Sequence, residues 1–238
     1  MCILFPATPP AKSKRKGAGG KSQDAMIGMQ NNPNTFDLAL KNAACKDPCC
    51  CCIGTCGTVY CGLSSCWARK SVLEAVASGI PDFVCCQGYA PKCGPCNPES
   101  CCPGSPIGLC LEGCLCPVLS ISVARIHIME KRAIQPDPCD YQIIQCSNFL
   151  QLLACICQIA AMFEPALEEL AEIIGCIADI FTYSVSGCMI AQLNAELKKG
   201  GKVHPGGPEA AKALAYGGPE GEKGLALGAP PKSEEMVR

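Results

Sequence analysis

Long runs of apolar residues alternate with short polar breaks in the second half of the chain. Three such stretches occupy 106–129, 143–163 and 173–193, and the middle one holds no charged residue. Pro136 and Pro138 separate the first stretch from the second, because proline cannot continue a helix. The pattern predicts three long apolar helices, and the chain is therefore expected to be mainly α.

The polar residues within these stretches leave open whether the helices are surrounded by lipid or by protein. A helix needs about 20 apolar residues to cross a bilayer, and the second stretch provides them. That stretch nevertheless carries several amides. Asp179 interrupts the third stretch, at a cost of about 2.5–3.5 kcal/mol if it lies at the centre of a membrane helix. A membrane-embedded hairpin, a soluble helical bundle and a subunit buried in a large assembly all fit this pattern.

A narrow line of polar side chains runs along the third stretch. Glu168, Glu172 and Asp179, followed by Thr182 and Ser186, fall near one helical face. A seam this narrow suits a helix that is buried on most sides. The two glutamates, one turn apart, are typical of a solvated or pore-facing edge rather than of a catalytic or cation site.

Cysteine dominates the composition upstream of the apolar stretches. The chain has 24 cysteines in 238 residues, and proline and glycine interrupt the densest block. Because these two residues punctuate the backbone into turns, an irregular Cys-rich module is expected over 45–105. The three-helix region then covers 106–199. A flexible basic tail is expected over 1–44 and a flexible Gly/Pro-rich tail over 200–238.

The state of the thiols depends on the compartment. The N-terminus has only a four-residue apolar run, from Cys2 to Phe5, where a secretory signal needs roughly 7–15 residues. A reducing cytosol is therefore expected, in which thiols stay free, bind metal or carry lipid. Basic residues flank the apolar stretches, so a membrane hairpin would keep the Cys-rich module on the cytoplasmic side. The net charge of −1 gives no reason to expect nucleic acid as a partner.

Two sets of cysteines have spacings that suit metal, since thiolates bind structural zinc from cysteines two to four residues apart. The first candidate zinc set surrounds a "CGPC" turn and comprises Cys85, Cys86, Cys93, Cys96, Cys101 and Cys102. The second set is open to either metal or palmitoylation and comprises Cys49, Cys50, Cys51, Cys52, Cys56 and Cys61. Acylation is the second option there, after metal, because adjacent cysteines allow the two-chain anchoring that holds a protein firmly on a membrane.

Features of an enzyme are few. The "CGPC" spacing matches a dithiol oxidoreductase, but the following "NPESCCPG" cannot open the long helix that such a site needs. His127 lies on an apolar stretch, where a packed histidine is expected. Neither a phosphate loop nor a Ser-His-Asp order is found in the sequence. We expect a non-enzymatic protein.

Two motifs bracket the apolar region. The first stretch opens with Cys110, Cys114, Cys116 and Pro117, and the third ends with Cys188, Gln192 and Glu196 followed by Leu197 and Lys198. In this order the motifs over about 85–199 resemble those of the placenta-specific-gene-eight family. That family includes cornifelin, the plant cell-number regulators and the plant cadmium-resistance proteins. Val118 and Ala191 stand where the family has cysteines.

The resemblance implies a small Cys-rich protein of the membrane, often the plasma membrane, linked to metal tolerance, divalent-cation movement or control of cell number. Residues and resemblance together predict a non-enzymatic, membrane-associated protein that binds divalent metal or assists its movement. The alternative is a structural subunit of a large assembly, stiffened by zinc or packed thiols. The sequence is also compatible with a homo-oligomer.

Overall fold

The protein is mainly α-helical, as expected. The structure, a computed structural model, describes residues 28–30, 32–89 and 102–199. Of these residues 79% are helical, and they form no strand. The expected tails therefore lie largely outside the described residues, as does the stretch 90–101.

Seven named helices build the described part of the chain, and four of them begin with proline, which suits the first helical turn. Their bounds are α1 Leu40–Lys46, α2 Pro48–Val59, α3 Leu63–Val76, α4 Pro106–Leu115, α5 Pro117–Lys131, α6 Pro138–Ala161 and α7 Glu168–Lys198. Short 3₁₀ turns lie at Ile80–Asp82, Cys85–Gly88 and Pro165–Leu167. The side chains of Asp47, Ser105 and Asp137 cap α2, α4 and α6.

The Cys-rich segment is more regular than its glycines and prolines predict, because α2 and α3 occupy most of 48–76. Cysteine is not a helix breaker, and Pro48 stands where a helix tolerates it. Gly54 is used for close packing: a Cβ added there would lie 2.9 Å from the Cβ of Ile190 on α7. Packing against the rest of the fold therefore makes this segment helical, although its sequence has only a weak preference for helix.

Two sharp bends shape the side of the molecule that carries the cysteines. The axes of α2 and α3 turn by 112° at the first elbow, residues 60–62, and those of α4 and α5 by 118° at the second elbow, Cys116. The first apolar stretch is thus two helices, since Pro117 ends one and begins the next. Gly62 has φ 64°, and a Cβ on it would lie 1.9 Å from the carbonyl oxygen of Gly113, so glycine lets the first elbow pack on the last turn of α4.

One core joins the Cys-rich segment to the apolar region. Helix α5 lies at its centre, and every residue from Ser120 to Met129 is buried. The largest cluster of buried apolar side chains draws on α1, α3, α5, α6 and α7, with members Leu40, Val72, Ile121, Ile144 and Met189. Helices α6 and α7 form an antiparallel hairpin that turns at Pro165–Leu167. The segments 45–105 and 106–199 therefore do not have separate cores within the described residues.

A methyl group added at Gly187 should test the contact between α2 and α7. A Cβ there would lie 2.1 Å from Thr55 Oγ1 and 2.4 Å from the Cys51 carbonyl oxygen. We expect Gly187→Ala to lower the free energy of unfolding by about 1–3 kcal/mol, because overpacking forces backbone shifts. Denaturant titration of the detergent-purified protein measures this change.

The matched control is Gly175→Ala on the same helix, where the nearest atom, Gln158 Nε2, is 3.6 Å from the added Cβ. This change should be neutral or slightly stabilising, because alanine favours the helix more than glycine does. Equal stability of the two variants would contradict the close packing of α2 on α7.

Candidate functional site

Three arginines are buried against acidic side chains in the middle of the fold. Arg69 Nε lies 2.9 Å from Glu112 Oε1, Arg125 Nη2 2.7 Å from Asp140 Oδ2, and Arg132 Nη1 3.0 Å from Glu196 Oε1. No side chain in these pairs exposes more than 7% of its surface. Each pair joins two separate segments, so the helices are fixed in register by charge as well as by apolar contact.

The pair formed by Arg125 extends into a network. Arg125 Nε donates to Gln192 Oε1 at 2.8 Å. Gln192 Nε2 donates to Asp140 Oδ2 and to the Leu38 carbonyl oxygen, both at 2.9 Å. The backbone N–H of Leu40 donates to Asp140 Oδ1 at 3.0 Å. Four segments of the chain thus meet at one satisfied polar cluster, as burial of such groups requires.

The motif at the end of the third stretch is structural in this fold. Gln192 and Glu196, one turn apart on α7, hold Arg125 and Arg132, which are two turns apart on α5. The thiol of Cys188, one turn earlier on α7, hydrogen-bonds the thiol of Cys51 on α2. At the other motif, Cys110, Cys114 and Cys116 are exposed near the second elbow, where Pro117 begins α5.

The first predicted zinc set is only partly described. Cys93, Cys96 and Cys101 lie outside the described residues. Cys85 and Cys86 lie beside Glu112, with the three ligand atoms within 4.8 Å of one another. Exposed Cys102 does not belong to that group.

The group of Cys85, Cys86 and Glu112 already has other bonds. Glu112 accepts from Arg69 with one oxygen and, at 2.7 Å, from the backbone N–H of Cys86 with the other. Burial, and then the charge of Glu112, raise the pKa of the Cys86 thiol to about 12. The carboxylate is thus engaged by Arg69 and by the backbone, an arrangement that serves structure better than metal binding.

The second predicted cysteine set is spread around helix α2 and its end. Cys51 faces the core, Cys50 is half-buried, and Cys49, Cys52, Cys56 and Cys61 are exposed. Consecutive residues on a helix point in different directions. Within the described part of the chain this set forms no three-ligand metal group.

A different group of thiols comes together at the elbows. The Cys66 thiol on α3 donates to the Cys110 carbonyl oxygen at 3.7 Å and lies near the thiols of Cys110 and Cys114, which lie one turn apart on α4. Gly113 allows this approach, because a Cβ there would lie 2.4 Å from Cys66 Sγ. Cys114 Sγ also donates to the Cys61 carbonyl oxygen at 3.0 Å. We call Cys66, Cys110 and Cys114 the elbow thiols.

The predicted polar seam divides along helix α7. Asp179 Oδ1 accepts from Gln151 Nε2 of α6 at 2.9 Å, and that amide also donates to Thr182 Oγ1 at 3.1 Å. Glu168 and Glu172 are exposed near the turn of the hairpin. The seam therefore serves helix–helix bonding in its second half and lies on the surface in its first.

The outer face of the α6–α7 hairpin is apolar. Large hydrophobic side chains are exposed along both helices: Phe149, Leu152, Ile156, Ile159, Met162, Phe163, Leu167, Leu170, Ile173, Ile177 and Ile180. Both helices are long and apolar enough to cross a membrane. Each bent pair, α2 with α3 and α4 with α5, also meets that test when its two helices are taken together.

Comparison with known proteins gives no match to this chain. No protein-family model, no curated protein and no solved structure matches it. The family resemblance of the motifs thus stays a prediction.

Sequence reasoning missed the role of the arginines and the elbow thiols. One signal was present: a single charge within an apolar helix, such as Glu112 or Arg125, requires a buried partner. A second was the spacing of Cys110 and Cys114, which puts both thiols on one helical face. Neither signal identifies the residue with which the side chain pairs. Glu112 pairs with a residue 43 positions away in the sequence, and Arg125 contacts Gln192, which is 67 positions away.

Removing Arg69 should destabilise the fold strongly. Arg69→Met leaves Glu112 charged and buried without its cation, and loss of one partner of a buried pair costs about 3–5 kcal/mol. Lys70→Met is the control on the adjacent residue, since the Lys70–Glu74 pair is more than half exposed. That change should stay within about 0.5 kcal/mol. Denaturant titration that gives equal stabilities would refute a structural role for the Arg69–Glu112 pair.

Proposed function

We propose that the protein is a non-enzymatic, Cys-rich membrane protein, anchored by the α6–α7 hairpin, whose elbow thiols bind soft divalent metal. The observation that carries the proposal is the reversed polarity of the hairpin. Its inner contacts include Ser147, Gln151 and Thr182, which hydrogen-bond one another, whereas its outer face is built of large apolar side chains. Water would penalise this arrangement, but lipid tails favour it.

The positions of charge along the hairpin support insertion. Helix α6 and its end carry no charge from Tyr141 to Phe163, and α7 carries only Asp179 from Ile173 to Ala195. A helix of about 20 residues rises roughly 30 Å, which matches the thickness of the hydrocarbon core. Because Asp179 is bonded to Gln151, its polarity is partly met within the hairpin.

The two ends of the hairpin differ in charge. The end that joins the body, called here the near end, carries Lys131, Arg132, Lys198 and Lys199. The turn at the opposite end carries Glu164, Glu168, Glu169 and Glu172. Lysine and arginine favour the cytoplasmic side of a membrane. We therefore propose that the near end is cytoplasmic and that the hairpin crosses the bilayer twice.

Two arginines placed on the lipid face should weaken insertion. Ile156 and Ile177 lie on different helices and are 55% and 54% exposed. The double variant Ile156→Arg/Ile177→Arg should cost up to about 5–7 kcal/mol on insertion scales, which is the sum for two arginines at helix centres. Ile177 lies nearer one end of its apolar stretch, so its share is the smaller one. The measured quantity is the fraction of protein that stays in the membrane pellet after alkaline carbonate, which should fall sharply.

The control adds the same charge to exposed polar positions of the body, as Asn42→Arg/Ser78→Arg. It should pellet like the unmodified chain. If carbonate releases the unmodified chain and it migrates with a large soluble complex, the membrane proposal is wrong. That outcome would favour the alternative of a structural subunit.

We assign the metal to the elbow thiols because three thiols from two helices approach one another there. Among the described residues only Cys85, Cys86 and Glu112 already have three ligand atoms within 4.8 Å of one another, but that carboxylate is held by Arg69. Binding at the elbow thiols therefore requires the three sulfur atoms to draw together around the ion. Among divalent ions, thiolates select soft or borderline metals such as cadmium and zinc. The resemblance to a family linked to metal tolerance supports the same chemistry. The zinc set around "CGPC" remains the alternative site.

Replacing Cys66 should remove most of the metal binding, because its thiol contacts both of the other elbow thiols. Cadmium titration of the reduced protein in detergent should give a thiolate-to-metal charge-transfer band that falls sharply in Cys66→Ser. Cys45→Ser is the control, since Cys45 is exposed on α1. A band retained in Cys66→Ser but lost in Cys93→Ser would place the metal at the "CGPC" set and overturn the elbow assignment.

A further inference from the structure

A polar cavity of about 430 Å³ lies at the near end of the hairpin. It opens where the segment around Asn34 meets the ends of α5 and α7. Its charged lining consists of Arg132, Glu196, Asp37 and Lys199. The volume falls in the range of small-molecule sites, which span about 300–1,000 Å³.

The inner wall of the cavity holds two polar atoms without partners. Arg132 Nη1 donates to the carbonyl oxygen and to Oε1 of Glu196, at 2.5 and 3.0 Å. Arg132 Nε and Glu196 Oε2 are buried yet make no hydrogen bond. Both residues are 5% exposed. Two residues of the lining thus carry one unused donor and one unused acceptor, which a ligand that offers one acceptor and one donor would complement.

The mouth of the cavity carries a second pair of opposite charges. Lys199 Nζ lies 2.8 Å from Asp37 Oδ1, and the two side chains are 50% and 59% exposed. An exposed pair of this kind contributes little to stability, so both groups can turn to a ligand at small cost. With two cations and two anions, the lining carries no net charge. A zwitterion therefore suits it better than a strongly anionic ligand.

The cavity also lies at a defined position along the length of the hairpin. The uncharged stretch of α6 begins after Asp140, and that of α7 ends before Glu196. Arg132 and Glu196 thus mark the level at which a membrane-inserted hairpin would leave the hydrocarbon core. That level is occupied by lipid head groups.

We propose that this cavity binds a phosphoethanolamine group, with its phosphate toward Arg132 and Lys199 and its ammonium toward Glu196 and Asp37. A primary ammonium donates hydrogen bonds to the free carboxylate oxygen, which the trimethylammonium of choline cannot do. A phosphate accepts from guanidinium and ammonium groups. Phosphatidylethanolamine is the expected source, and this part of the inference rests on the proposed membrane insertion. The phosphoethanolamine chemistry rests on the cavity alone.

The test compares head groups on the full chain purified in detergent. Short-chain phosphatidylethanolamine, phosphatidylcholine and phosphatidylglycerol, together with free phosphoethanolamine, are titrated by calorimetry. The two ligands that carry phosphoethanolamine should bind at least about tenfold more tightly than the choline and glycerol lipids. Equal affinity for all three lipids would overturn the proposal.

Exposed residues at the mouth provide variants that should fold normally. Lys199→Gln should weaken phosphoethanolamine binding about tenfold, because it removes one charge-assisted hydrogen bond. Lys198→Gln is the control, since Lys198 is equally exposed but lies outside the cavity. Asp37→Asn, compared with Glu74→Gln, tests the ammonium side in the same way. An equal effect of Lys199→Gln and Lys198→Gln would assign the binding to general surface charge and refute the site.

The outcomes separate this inference from the proposed function. Tighter binding of the lipid than of free phosphoethanolamine supports a membrane source. Equal binding of the two supports the same chemistry with a soluble source. A chain that binds phosphoethanolamine but is released by carbonate would contradict the membrane proposal and leave the cavity assigned. A chain that stays in the carbonate pellet but binds all head groups equally would support the membrane proposal and refute the phosphoethanolamine site.

Discussion

The contact of Arg125 with Asp140 and Gln192 is the constraint on which the rest of the structure depends. It lies at the centre of the buried helix α5 and joins that helix to α6, to α7 and, through Leu40, to α1. The Arg125 guanidinium also lies over the ring of Phe36, 5.2 Å from its centroid. A buried arginine without these partners would be very costly. The register of four segments is therefore set by the need to satisfy one side chain.

This constraint explains how the fold can leave so much apolar surface outside. In a soluble bundle the apolar faces of α6 and α7 would supply the core. Here α6 and α7 supply core residues such as Ile144 and Met189 beside the body, but between Phe149 and Ile180 most of their large apolar side chains point outward. This part of the hairpin is held by hydrogen bonds such as those of Gln151 to Asp179 and Thr182. In lipid, polar contacts and close packing replace the hydrophobic effect as the cause of helix association. The close approach at Gly187 has the same physical origin.

Part of the fold could be predicted from the sequence. The mainly α class follows from the apolar stretches, and Pro117, Pro138 and Pro165 each stand where a helical segment begins. The helicity of 48–76 could not, because glycine-rich cysteine sequence has a weak local preference for helix. Its helices are stabilised by tertiary packing, of α2 on α7 and of α3 on α5 and α4. The elbow thiols were missed because spacing reveals cysteines on one helix, whereas Cys66 approaches from another.

Under the proposed function, the direction of helix α2 determines how deep in the membrane a metal ion at the elbow thiols would lie. Cys50 Sγ accepts from the Asn194 amide at 3.4 Å, and Thr55 Oγ1 donates to the Tyr183 carbonyl oxygen at 3.3 Å, so α2 runs antiparallel to α7 toward the middle of the hairpin. The first elbow follows α2, and exposed Tyr60 suits contact with lipid. The elbow thiols would then lie below the head groups of the near leaflet. A low dielectric penalises net charge, and one divalent ion held by two thiolates is neutral. Under the proposed function, two of the three elbow thiols as thiolates and the third as a thiol would hold such an ion without adding net charge at that depth.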